Sequence, residues 1–172
     1  MPSASLIKEF EQLVGKENVF SSEADRQSYA YDAAVLKPMI PGLVVRPTEV
    51  EQLGQVVKRC YEEGIPTTVR GSGTNLTGGT IPDCSDTIVI LTTGFNNILE
   101  INTEDLYATV QPGVITAKVA AAVAAKGLFY PPDPGSMSVS TIGGNVAESS
   151  GGLRGLKYGT TKDYVMGMEV FA

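Results

Sequence analysis

Eleven of the nineteen glycines in this chain fall into two short stretches, four within residues 71–79 and seven within 135–159. Apolar and β-branched residues interleave with them, so neither stretch is a flexible linker. Glycine alone combines ready access to positive φ with unhindered approach of another group to the backbone. Two such loops in one small chain point to backbone brought close to something bulky. Two tight irregular turns are the plainer alternative.

The 172 residues are 42% hydrophobic and 19% charged, enough for one domain or for two small lobes sharing one site. The net charge of −6 argues against nucleic acid or an anionic membrane as the main partner. No apolar run is long enough to cross a bilayer, and residues 1–9 lack the basic and apolar regions of a signal peptide, so a cytoplasmic location is expected. There is no histidine, which removes Ser-His-Asp and Cys-His nucleophiles, the usual metal sites and the usual neutral-pH base. Cys60 and Cys84 make neither a disulfide framework nor a zinc site. No catalytic residue and no metal ligand can be named, and difficult chemistry would need a cofactor.

Periodicity predicts a helix over Ser5–Val14 and an irregular surface segment over 21–40. A short strand, Gly42–Val45, precedes a helix opened by a capping box at Thr48–Glu51, with Val50, Leu53, Val56, Val57 and Cys60 facing inward and Gly64 at its end. The strand Thr67–Arg70 completes a parallel βαβ unit. Thr87–Leu91 reads as a buried strand, and Ile98–Ile101 and Tyr107–Val110 as a pair joined by a polar turn. An alanine-rich helix, Thr116–Lys126, stops at Gly127, and Asp163–Phe171 reads as a final strand. The apolar ending suggests a domain continuing beyond the sequence.

The first loop, Arg70-Gly71-Ser72-Gly73-Thr74-Asn75-Leu76-Thr77-Gly78-Gly79, begins like a dinucleotide fingerprint, but Leu76 stands at the third glycine position. It is not a Walker A loop. What remains is a strand running into a small-residue nest of backbone N–H groups suited to a pyrophosphate, with a flanking arginine. The second region contains Pro131-Pro132-Asp133-Pro134-Gly135-Ser136, then Thr141-Ile142-Gly143-Gly144-Asn145-Val146-Ala147-Glu148, then Gly151-Gly152 and Tyr158.

R-G-x-G-T-x-L-x-G-G, P-P-D-P-x-S and T-I-G-G-N-x-A-E in this order resemble the PCMH-type FAD-binding domain of the vanillyl-alcohol oxidase superfamily. The nearest branch holds the glycolate oxidase flavin subunit and the D-lactate and D-2-hydroxyglutarate dehydrogenases. The resemblance, from about Ser21 onward, implies an incomplete α+β domain with a small parallel βαβ lobe (about 42–70) and a larger mixed-sheet lobe with flanking helices (about 85–172). Residues 1–40 form an N-terminal helix and surface segment outside the FAD-binding region 41–172. The two glycine loops are expected to face each other across a cleft.

The resemblance implies that Gly71, Ser72, Gly73, Thr74, Asn75 and Gly79 wrap the FAD pyrophosphate, beside Arg70, which is otherwise a solvated surface charge. Pro132, Asp133 and Ser136 would pass the flavin ring and ribityl chain, although Asp133 also reads as a turn cap. Thr141, Gly143, Gly144 and Asn145, with Gly151, Gly152 and Tyr158, would pack near the isoalloxazine and pyrophosphate, and Gly113 would make another close approach. Tyr158 equally reads as a core aromatic. Ser149 departs from the family pattern, which has asparagine there. With no histidine, FAD would be held non-covalently.

The family members are longer, with a substrate cap that supplies the base and the carboxylate clamp. That cap is absent from these residues. The implied function is the FAD-binding portion of a 2-hydroxy-acid dehydrogenase or oxidase of glycolate or D-lactate type, with partner subunits or a homo-oligomer possible. The alternatives are the FAD domain of an oxidoreductase with another substrate, and a flavin-free remnant of the same fold.

Overall fold

A computed structural model describes residues 2–171, and they divide into two compact units. The first runs to Gly94 and includes Phe171; the second runs from Phe95 to Val170. The class is α+β.

The first unit is built around a four-stranded sheet in the order β1-β2-β4-β3, from β1 (Val19–Phe20), β2 (Leu43–Val45), β3 (Thr67–Arg70) and β4 (Ile88–Leu91). β2 and β3 both lie parallel to β4, while β1 pairs antiparallel with β2. Every residue of β2 and β4 is buried. Alternation sends Leu43, Val45, Ile88 and Ile90 to a core with Leu6, Phe10 and Val14 of helix α1 (Ala4–Val14) and Val56 and Cys60 of α3 (Val50–Glu62). Val44, Val89 and Leu91 turn to the other face, against Phe20 and Tyr29. Parallel strands covered on both faces are apolar throughout, as β4 is.

Thr87–Leu91, expected in the larger lobe, contains β4, which lies between β2 and β3 in the first unit. The helix cap lies one residue later than expected: Glu49 is the N-cap, because Gln52 Oε1 accepts from the Thr48 and Glu49 amides at 3.0 and 3.2 Å. Val50 remains exposed. Residues 21–40 are not simply surface. They contain α2 (Glu23–Gln27) and the buried Arg26, Ala30 and Asp32, with Arg26 Nη1 donating to the Pro41 carbonyl at 2.6 Å.

In the second unit, β5 (Ile98–Asn102) and β6 (Tyr107–Val110) form an antiparallel hairpin. Its turn is closed by Asn102 Oδ1, which accepts from the Glu104 and Asp105 amides. Val114, Val119 and Val123 form the core with Ile98, Ile101, Val110 and Ile142. Helix α4 (Thr116–Ala124) is followed by α5 (Ile142–Glu148) and the short α6 (Gly155–Tyr158). The strand expected over Asp163–Phe171 is not formed. A 3₁₀ turn occupies Thr161–Tyr164, and among the described residues no strand pairs with the exposed Met166, Met168 and Val170.

Candidate functional site

The first glycine loop leaves β3 at Arg70. Rather than a solvated charge, Arg70 is only 6% exposed. Its Nη1 donates to the Tyr31 carbonyl at 2.7 Å and to Thr80 Oγ1 at 3.2 Å, and its guanidinium lies 5.8 Å from the centre of the Tyr29 ring. Burial lowers its pKa while the Asp32 charge opposes the shift, and an arginine so placed stays charged.

The chain then crosses this guanidinium. Gly73 has φ +69°, and a Cβ there would collide with Arg70. Gly78, at φ +80°, would meet Leu36 in the same way. Glycine at 73 is therefore demanded by the protein's own packing. Among the described residues, the amides of Gly73, Thr74 and Asn75 donate to no protein acceptor, although all three residues are half-buried. A run of such donors over glycine turns fits a pyrophosphate.

Asp32 was missed in the sequence because the segment around it shows no periodicity. It is 7% exposed and lies at the same loop, accepting from Asn75 Nδ2 at 2.6 Å and from the Ala34 amide at 2.8 Å. The aromatic pair Tyr29 and Tyr31 just before it is the one sequence feature that marks the segment.

In the second unit, Thr141 is the N-cap of α5, and Gly143 sits so close to Pro112 that a Cβ would lie 2.7 Å from the proline Cβ. The Gly143 amide donates to the Pro112 carbonyl at 2.8 Å, and the buried Gly113 donates to the Phe95 carbonyl. Asn145, at 1% exposure, donates from Nδ2 to Thr116 Oγ1 at 2.7 Å; Thr116 in turn bonds Ser140. Its side chain thus fastens α5 to α4. Gly144 keeps its amide on the Thr141 hydroxyl.

A second group gathers at Asp133. Its Oδ1 accepts from the Arg154 amide at 3.0 Å, its Oδ2 lies 3.5 Å from Arg154 Nε, and a Cβ on Gly152 would strike its carbonyl. Pro132 is buried beside it in sequence, and the Ser136 carbonyl accepts from the Ser140 amide. Gly151 packs on Thr160. Tyr158 adjoins the Asp133 group through Arg154, whose carbonyl accepts from the Tyr158 amide at 3.0 Å. At 37% exposure it is no core aromatic, and its ring meets Phe129 edge-on at 5.5 Å. Ser149 ends α5 in the left-handed region (φ 46°, ψ 49°), its hydroxyl 2.9 Å from that of Thr160. That conformation suits asparagine, the residue of the family pattern at this position.

Among the described residues, no group of three side chains could hold a metal ion, and no helix is long and apolar enough to cross a membrane.

The profile of a family described as an FAD binding domain matches residues 41–172. Glycolate oxidase subunit GlcD of Bacillus subtilis (strain 168) is 52% identical over 159 residues, covering 92% of this chain and 34% of the relative. D-lactate dehydrogenase of Anaerostipes hadrus is 35% identical over 165 residues, covering 96% of this chain and 34% of the relative. Among solved structures, alkyldihydroxyacetonephosphate synthase superposes with a TM-score of 0.85 at 20% identity, over 95% of this chain and 32% of that one. At that identity the likeness concerns the fold alone. The chain spans about a third of the length of these curated relatives.

Proposed function

The chain belongs to the FAD binding domain family, and from that membership we propose that it is the FAD-binding portion of a flavin-dependent oxidoreductase acting on the CH–OH group of a small 2-hydroxy acid. The observation that carries the reading is the loop after β3, where half-buried amides without protein acceptors follow one another across a glycine turn braced by Arg70. Gly71, Ser72, Gly73, Thr74 and Asn75 hold the pyrophosphate through main-chain donors, and Gly79, whose amide donates to Thr77 Oγ1 at 3.4 Å, closes the loop around it. In the second unit, Thr141, Gly143 and Gly144 present the small-residue surface assigned to the flavin, with Pro132, Asp133 and Ser136 beside the ribityl chain. Asn145 and Gly113 shape that surface from within. FAD, when bound, supplies the hydride acceptor for the substrate carbinol. The chain's residues bind and orient it. The names of the relatives, a glycolate oxidase subunit and a D-lactate dehydrogenase, support the substrate class.

A flavin-free module is the competing reading, favoured by one observation: the Arg70 and Asn145 side chains are both committed to partners inside the protein. Titrating the purified chain with FAD and following flavin fluorescence separates the two. Saturable one-to-one quenching is expected; no quenching at any protein concentration would overturn the flavin reading.

A further inference from the structure

The first loop is held by a side chain that the flavin reading does not use. Asp32 lies 43 residues before Asn75, in a segment with no regular structure, yet its carboxylate is buried. A buried carboxylate is costly unless its lone pairs are matched by donors. Here they are matched. Oδ1 accepts from the Ala34 amide at 2.8 Å, and Oδ2 accepts from Asn75 Nδ2 at 2.6 Å and from Thr80 Oγ1 at 3.3 Å. The Thr80 proton is shared with Asn75 Oδ1, 3.0 Å away, and the same hydroxyl accepts from Arg70 Nη1. A main-chain bond, from the Ala33 amide to the Asn75 carbonyl at 3.1 Å, ties the two segments a second time. The start, middle and end of the loop, at Arg70, Asn75 and Thr80, therefore all converge on residues 31–34.

We propose that Asp32 is a positioning residue for the pyrophosphate loop: through Asn75 and Thr80 its carboxylate fixes the arrangement of the Gly73 and Thr74 amides before any ligand arrives. The inference rests on the reading of this loop as the FAD cradle. A glycine-rich segment left to itself samples many backbone states, and ordering it at the moment of binding would be subtracted from affinity. The lock moves that ordering into folding. It also requires an acid at 32. Asp accepts only, and both groups facing Oδ2 are donors; an amide would set donor against donor. The negative charge beside an anion site is offset by the adjoining Arg70, leaving attraction of the phosphates to the loop amides.

The test uses the full 172-residue chain with FAD as the probe, and reads two quantities: the dissociation constant, and hydrogen exchange at the Ala33 amide in the absence of FAD. Asp32→Asn is expected to weaken FAD about tenfold or more and to speed Ala33 exchange by a similar factor, with Thr80→Val intermediate. The reciprocal pair Asp32→Asn with Asn75→Asp restores a donor opposite an acceptor, and is expected to bring both quantities to within about threefold of wild type. A purely structural defect would not be rescued in this way. Unchanged affinity and exchange in Asp32→Asn would overturn the proposal. So would a natively folded swap no better than the single variant. If the wild type captures no FAD, the flavin reading fails instead, and Ala33 exchange alone decides whether the lock exists.

Discussion

Valine at position 73 would place a β-branched side chain at φ +69° and against the Arg70 guanidinium. The strain alone is worth about 1–3 kcal/mol, and the collision adds to it. Gly73→Val is expected to lower the denaturation midpoint and to abolish or strongly weaken FAD capture; equal affinity in the variant would reduce the loop to a turn. Ser149 carries a smaller strain of the same kind, so Ser149→Asn is expected to raise stability by about 0.5 kcal/mol, read from denaturant unfolding. The two cysteines should separate chemically. Burial pushes the Cys60 thiol up to about 11, whereas hydrogen bonding from Thr87 lowers that of the exposed Cys84. A thiol reagent at neutral pH is expected to find one reactive group in the native protein and two in denaturant. At this scale the glycine positions were legible from their clustering and small-residue surroundings. The commitments of Arg70 and Asn145 were not, because whether a polar side chain turns inward depends on partners distant in sequence, Tyr31 and Thr116.

Among the elements, β4 is buried along its whole length between β2 and β3, and β3 stands at the sheet edge. Ile90→Ala is expected to cost about 2–5 kcal/mol, and Val69→Ala, at a side chain 59% exposed, less than about 0.5 kcal/mol. Helices α1 and α3 are linked by Arg59, which donates to Glu9 at 2.7 Å and holds its carboxyl below the usual carboxylate range. A depressed carboxyl pKa stabilises the fold above the ordinary carboxylate range, and that contribution is lost as pH falls through the lowered value. Glu9→Gln is therefore expected to flatten the acid limb of the stability profile, and added salt to do the same in the wild type. The apolar runs of β2 and β4 revealed buried strands, but their order in the sheet was hidden, since sequence proximity does not reveal which strand is inserted between two others. Helix α5 was illegible as a helix because Gly143 and Gly144 lower propensity; Thr141 at its cap and packing of Gly143 on Pro112 supply what propensity does not.

For the molecule as a whole, FAD-loaded residues 1–172 are expected to show no flavin bleaching when mixed anaerobically with glycolate, D-lactate or D-2-hydroxyglutarate. Oxidation of a carbinol needs a group to take the hydroxyl proton and a clamp for the carboxylate, and the chain contains no histidine to serve as the usual neutral-pH base. Bleaching with any of the three acids would show that these residues carry such groups. The Asp32–Asn75 and Arg70–Tyr31 bonds, spanning 43 and 39 residues, also impose an order in time. Helices close through near neighbours within microseconds, whereas pairings this remote must first overcome the entropy of closing a long loop. The loop cannot take its working shape until the early segment has docked and the strands on either side of it are in place. In refolding, recovery of flavin capture will trail the return of helical circular dichroism, making cofactor uptake a clock for the last step of assembly.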